Sequence, residues 1–467
     1  MFDLIFKINS ILNEFLWGPP MIVAILGVGI YLTAGTRLVQ VRNFPAVLKE
    51  TVIRKKRAGA QGDISPFAAL NVALAGTVGV GNIAGVATAI AAGGPGAIFW
   101  MWVSGLLGMA TKFSEVALGI KYRIHQTTGP MIGGPMMYIS QGMGKNFKFL
   151  AGMFAVLGAL AAFCSGNMVQ ANSVAIGLQE FNIPRFVTAI LLILAVGLVT
   201  LGGLKRIAHV AMFCVPFMCI IYFLCALIII FLNIQKLPQT LILVFQSAFT
   251  PAAATGGFLG ASVRGAIRWG IARGVFSNEA GLGSAPMAHA TARTDHPARQ
   301  GLWGIFEVFI DTIVICSATA LAILITDAWK SGSTGSLLTM SAFQTVFGKQ
   351  LGFSIVVLCM VLTAYDTILA WGFYGETCSA YLFGAKARPI YRVLWLMPII
   401  LGCMGKLEAV WALADTFNGL MAIPNLIALF VLGPVVFGLT KEFFKKNDSP
   451  LTSEQIPTNP PMGGQKL

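Results

Sequence analysis

The sequence predicts an all-α polytopic membrane protein with eleven transmembrane helices: one extra N-terminal helix, then a 5+5 inverted repeat whose helices 1 and 6 are discontinuous. Three observations carry this. Of the 467 residues, 56% are hydrophobic and only 11% charged, and the mean hydropathy is +0.78, a composition that water-soluble domains do not show. No charge occurs from Ile64 to Ile98, a run longer than the roughly 20 residues that cross a bilayer. Two apolar runs are interrupted by residues that oppose helix, and five helices separate their starts.

In chain order, Met1 to Gly18 carries Asp3, Lys7 and Glu14 before an apolar run from Pro19 to Ala34. The weakly basic start without a small-residue cleavage site argues against a removed signal peptide, so this run is read as helix 0. Ten spans follow at about 65–92, 97–120, 148–178, 186–204, 207–233, 241–271, 303–328, 353–383, 390–404 and 408–439. The expected organisation is helix 0 with a basic loop over 1–64, a first five-helix repeat over 65–233, a second over 234–440, and a disordered cytoplasmic tail over 441–467.

The first interruption is Ala75-Gly76-Thr77-Val78-Gly79-Val80-Gly81-Asn82. Glycines and β-branched residues weaken helix at a depth where lipid offers the backbone no partners. Broken backbone there survives where it lines a cavity or binds something. Gly81 and Gly85 also form a small-xxx-small pair that suits close helix packing. Two other readings fail. Gly79 to Ala84 fits a dinucleotide-binding pattern but lacks a separate strand before it and an acid about 20 residues on. Thr77 to Gly81 resembles a potassium-channel filter, yet a single copy inside a long span is not a pore loop.

The second interruption is expected at Thr250-Pro251-Ala252-Ala253-Ala254-Thr255-Gly256-Gly257-Phe258, where proline removes a helical donor and two glycines loosen the chain. Five being odd, the second set of helices starts from the opposite face. Paired broken helices in that relation place a ligand and a coupling ion near the midplane. Amides near Gly81 and Asn82 suit a carboxylate, and freed carbonyls from Ala75 to Val78 suit a hard cation or an ammonium. Asn167, Gln170 and Asn172 either add polar contacts or hydrogen-bond helix to helix.

Lysine and arginine concentrate in cytoplasmic loops. With the N-terminus outside and the C-terminus cytoplasmic, 26 of the 32 fall inside and 6 outside, so the formal charge of +14 is topology signal in the cell (inner) membrane, not a nucleic-acid patch. The eight cysteines lie in apolar spans without a CxxC and read as inert core thiols. The four histidines lack neighbours at ligand spacing, so no metal cofactor is expected, and no nucleophile-base-acid set marks an enzyme.

Gly93-Gly94-Pro95-Gly96-Ala97-Ile98-Phe99-Trp100-Met101-Trp102-Val103 through Gly108-Met109 resembles the signature of the alanine or glycine:cation symporter family. The resemblance continues at Val78 to Ala87, Gly133-Gly134-Pro135, Phe276 to Ser284, His296-Pro297, Gln300-Gly301, Phe309 to Thr312 and Ile315-Cys316, covering about Gln61 to Phe437. It implies a leucine-transporter-type fold and sodium- or proton-driven symport of a small neutral amino acid, with the bilayer, the amino acid and the sodium ion as partners and no obligate protein partner. It also implies cation ligation by the Ala75 and Val78 carbonyls with Asp366 and Thr367, and a substrate near Thr77, Gly79, Val80, Gly81, Asn82, Asn167, Gln170, Phe249, Thr250, Gly256 and Gly257. The family commonly has Gln at the positions of Ala68 and Ala252 and Ser at that of Asp366, and these departures bear on which amino acid is carried. An ion channel is the alternative class, distinguished by continuous current in place of saturable uptake.

Five further expectations concern particular residues. Asp311 belongs to the coupling machinery or pairs with an arginine such as Arg273. Lys112 and Glu115, three apart on one helix face, form an ion pair. Ser277-Asn278-Glu279 lies in a cytoplasmic loop. Phe249, Phe258 and Trp371 wall the pocket. Asp366, central in its span without a same-helix cation, ligates the coupling ion as a carboxylate, carries a coupled proton, or faces a watery vestibule.

Overall fold

A computed structural model of the chain describes residues 2–53, 60–126, 129–250 and 262–448. The described residues are overwhelmingly helical and contain no strand beyond three isolated bridges, Gln61 with Thr294, Ile64 with Ala292 and Ile124 with Ile132. Eight helices are long and apolar enough to cross a bilayer, and the bent pair Pro66–Thr77 and Gly81–Gly93 makes a ninth. Of the other two expected spans, one is the 16-residue helix Arg185–Thr200. The other, expected at 241–271, is described as two separate helices, Leu237–Phe249 and Val263–Asn278.

The elements used below are α1 (Pro19–Gly35), α2 (Pro66–Thr77), α3 (Gly81–Gly93), α4 (Ala97–Lys121), α5 (Lys145–Gln179), α6 (Arg185–Thr200), α7 (Leu204–Leu232), α8 (Leu237–Phe249), α9 (Val263–Asn278), α10 (Pro297–Ile325), α11 (Lys349–Phe383) and α12 (Leu407–Asp448). Local chemistry sets several starts. Ser65 Oγ accepts from the Ala68 amide at 3.1 Å with Pro66 at the first helical position, and Ser262 Oγ accepts from Gly265 N at 3.0 Å. On α7, Phe213, Phe217, Ile220 and Leu224 form an exposed apolar stripe, the face a lipid-contacting helix presents.

Packing identifies the helix that partners the first broken one. A Cβ on Gly93 would meet Gly265 O and Trp269 Cβ at 3.1 Å, while one on Gly81 would meet Phe276 at 3.2 Å and Ser277 Cα at 3.4 Å. The α9 helix therefore runs antiparallel along α3, from its far end back to the break. It stops at Glu279, which adopts the left-handed conformation at φ 57°, and Gly281 and Gly283 follow at φ 94° and 81° before the short helix Ala285–His289.

The second break, the one packed against the first, is Asn278–Ser284, while the break expected at Thr250–Phe258 falls between the end of α8 at Phe249 and the start of α9 at Val263, where positions 251–258 lie outside the described residues. Phe249 and Thr250 end α8 near Gly96, since Trp100 Nε1 donates to Ala248 O at 3.2 Å and a Cβ on Gly96 would strike Ser247 O. Positions 251–258, with Ala252, Gly256, Gly257 and Phe258, lie outside the described residues. Two consequences follow. Ser277-Asn278-Glu279 is buried at the centre and not in a surface loop. Arg264 and Arg268, which belong to the 26 that the charge pattern counts inside, stand at the Gly93 end, opposite Ser65. The last helix also continues past 439 to Asp448, so the start of the tail expected to be disordered is helical.

Candidate functional site

At the first break the chain leaves helical geometry at Val78 (φ −79°, ψ 84°) and the two halves meet at a 48° bend. The freed amides find side-chain partners. Gly79 N donates to Asn82 Oδ1 at 2.9 Å, and Val80 N donates to Gln170 Oε1 on α5 at 3.3 Å. Gln170 and Asn82 thereby satisfy donors that would otherwise each cost about 1–3 kcal/mol when buried.

Asn82 is held in turn by Asp311, on the π-bulged stretch of α10. Asn82 Nδ2 donates to Asp311 Oδ1 at 2.7 Å and to the Asp311 carbonyl at 3.2 Å. Ser277 Oγ, at the end of α9, lies 3.0 Å from both carboxylate oxygens, Thr312 Oγ1 donates at 2.8 Å, and Asn278 Nδ2 donates to Thr312 Oγ1 at 3.0 Å. One wholly buried carboxylate therefore ties the first break to the second using neutral donors. No Lys or Arg among the described residues pairs with Asp311, and Arg273 does not do so. Arg273 makes a bidentate pair with Asp415 of α12 at 2.9 and 2.7 Å, its guanidinium lying 5.0 Å from the Trp411 ring centre and 5.5 Å from that of Phe276.

Thr367 on α11 reaches the other side of the break. Its Oγ1 donates to Ala75 O at 2.9 Å and lies so near Gly79 that a Cβ there would sit 2.7 Å away. The adjacent Asp366 is buried, and neither carboxylate oxygen has a hydrogen-bond partner. Its burial means that in this conformation it does not face water.

Of the other sequence-predicted residues, Thr77, Val78, Gly79, Val80, Gly81, Asn82, Gln170, Ala75 and Thr367 converge at the break. Asn167 does not join them in hydrogen bonding. Its Nδ2 donates to Trp395 O at 2.8 Å, and Asn172 spans to Gly402 O and Gly405 O at 2.8 and 2.9 Å, both fastening helix to helix. Phe249 is 59% exposed and packs on Phe99 and Trp100, and neither it nor Thr250 joins the hydrogen bonds of the first break. Trp371 is buried with Nε1 donating to Glu279 Oε1 at 2.8 Å. Ser277, Asn278 and Glu279 stood in the sequence as a polar motif beside glycines, a signal that a loop produces equally well.

Lys112 and Glu115 are not paired with one another. Lys112 Nζ lies 3.2 Å from Glu307 Oε1, while Glu115 Oε1 accepts from Asn425 Nδ2 at 2.7 Å and Gly281 N at 3.0 Å. The rotation along α4 points them at different neighbours, α10 for one and α12 with the second break for the other.

A model of the sodium:alanine symporter family matches residues 3–456. The chain belongs to that family. It is similar to the sodium/alanine symporter AgcS of Methanococcus maripaludis, 44% identical over 96% of this chain and 99% of the relative. To the probable sodium/glutamine symporter GlnT of Bacillus subtilis it is 40% identical, over 94% of this chain and 91% of that one. Among solved structures it resembles MhsT, crystallised with L-phenylalanine, at a TM-score of 0.59 and 13% identity, covering 82% of this chain and 99% of that one. At that identity the likeness speaks for the leucine-transporter-type fold alone. Family membership makes the chain a multi-pass symporter of amino acids with a cation, and not an enzyme.

Proposed function

We propose that this member of the sodium:alanine symporter family imports a small neutral amino acid of the alanine or glycine type together with sodium, by alternating access in the cell's inner membrane, with the N-terminus outside and the C-terminus cytoplasmic. The observation that carries the reading is the meeting of two broken helices across Asn82, Asp311 and Ser277. Backbone freed from helix at that junction supplies amides for a carboxylate and carbonyls for a cation. Sodium would be held by the Ala75 and Val78 carbonyls, Thr367 Oγ1 and the Asp366 carboxylate, all oxygen donors suited to a hard cation. The substrate would lie against Thr77, Gly79 to Asn82 and Gln170. Ala68, where the family resemblance leads to an expectation of Gln, bears on the size and polarity accepted.

A second reading is proton coupling at the same residue: both Asp366 oxygens lack protein partners, which suits a carboxyl that binds a proton as well as one awaiting sodium. The experiment is uptake by reconstituted vesicles from a panel of labelled amino acids under a sodium gradient, a proton gradient, or neither. Saturable uptake of alanine or glycine under the sodium gradient is expected, and none under either gradient overturns the reading. Asp366→Ser keeps sodium dependence with altered sodium affinity if the site binds sodium. Asp366→Asn with unchanged sodium affinity would show that Asp366 is no ligand.

A further inference from the structure

Below the two breaks, toward the Ser65 face, lies a cluster that the transport site does not use. Lys112 and Glu115 come from α4, Glu279 from the second break, His289 from the short helix after it and Glu307 from α10, each no more than 2% exposed. Glu307 is fully engaged: Lys112 Nζ is 3.2 Å from one oxygen and His289 Nε2 is 2.9 Å from the other. Gln300 Nε2 and His289 Nδ1 lie 2.9 Å apart, so the amide holds the ring against Glu307. Glu279 takes Trp371 Nε1 on one oxygen and the Ser284 hydroxyl on the other. Glu115 Oε1 takes Asn425 and Gly281, and Glu115 Oε2 has no partner. The remaining titratable groups facing the cluster are Tyr138, bonded to Asn425, and Tyr374.

The charge does not close. Three carboxylates face one ammonium and one imidazole, and fully ionised they would leave at least one net negative charge sealed from water whichever form the ring takes, an arrangement buried groups avoid by pairing or by taking up protons. We propose that Glu115 and Glu279 between them form a proton-binding site that is loaded while the Ser65 face is closed and emptied to water on that side when it opens. The partners of Glu115 come from two elements, α12 and the second break, so movement of the second break withdraws Gly281 N and admits water. A carboxyl O–H then breaks, the proton passes to a water molecule to give hydronium, and the carboxylate stays behind, hydrated. The site is separate from Asp366 and independent of which amino acid is carried. Because the closed form binds the extra proton, acid on that side holds it closed and alkali favours opening.

Cys378 offers a readout that needs no substrate. It is fully buried on α11 with Sγ 3.8 Å from Met287 Sδ of the short helix Ala285–His289, so displacement of that helix exposes the thiol. The experiment follows maleimide labelling of Cys378 in nanodiscs by peptide mass spectrometry from pH 6 to 8.5, in the wild type, Glu115→Gln and Glu279→Gln. Dividing the wild-type rate by each variant's at the same pH cancels the thiol's own titration. Opening linked to one proton gives a ratio rising up to about tenfold per pH unit. Glutamine at 115 keeps the acceptor for Asn425 and puts its amide where Oε2 has no partner, so folding is preserved, and Glu279→Gln tests the same site independently. A ratio flat with pH for both variants overturns the proposal. Absence of amino-acid uptake would overturn the transport reading and leave this test intact.

Discussion

The two broken helices meet around one aspartate, yet they are built in opposite ways. The first break is uncharged and glycine-rich, inside a run of apolar residues that has to be transmembrane, so its irregularity stands out against its surroundings. The second is polar, carries Glu279, and is followed by Gly281 and Gly283, a composition shared with surface loops. Its backbone turns by a left-handed Glu279 and two positive-φ glycines, and its polar side chains are satisfied by residues distant in sequence, Asp311, Thr312 and Trp371. A break in an apolar helix shows in the sequence as an exception. One lined by polar residues shows only once their partners are known.

The largest effect expected from separating the two breaks is that of Asp311→Ala. It strands the Asn82 amide and the Ser277 and Thr312 hydroxyls, about 3 kcal/mol of lost buried hydrogen bonding, and should lower vesicle uptake about 100-fold while the protein still reaches the membrane. Uptake within a few-fold of wild type would show that the junction is not needed. Gly79→Ala comes next. Its Cβ would lie 2.7 Å from Thr367 Oγ1, so the hydroxyl must leave Ala75 O, and sodium half-saturation should rise about tenfold, as expected for losing one good ligand of about 1.4 kcal/mol. Gly81→Ala meets Phe276 at 3.2 Å, where the ring can give, and a smaller rise is expected. If Gly81→Ala proves the more damaging in sodium titrations, the cation is on the α9 side of the break instead.

Arg273→Lys keeps the charge but loses the bidentate grip on Asp415 and the stacking over Trp411, so uptake should fall several-fold, by about 1 kcal/mol. Phe249→Ala should be nearly silent, within about twofold in uptake, since a half-exposed aromatic at the far face contributes at most a few tenths of a kcal/mol. A strong Phe249→Ala defect in substrate affinity would return α8 to the site.

By itself the sequence determined the membrane class and the first break with Gly79 to Asn82, because hydropathy and backbone-breaking residues act locally and leave a trace wherever they occur; Thr367 beside Ala75 came from the family resemblance. Gln170 was legible as a polar residue in an apolar helix, though not its bond to Val80 N. Tertiary structure alone decided that Val263–Asn278 packs along the first broken helix, that Asp311 takes Asn82 and Ser277 while Arg273 takes Asp415, and that Lys112 and Glu115 look away from one another. Proline and paired glycines mark a possible interruption without saying where in the bundle it falls. A buried charge chooses its partner by distance and desolvation, and both are properties of the packed helices.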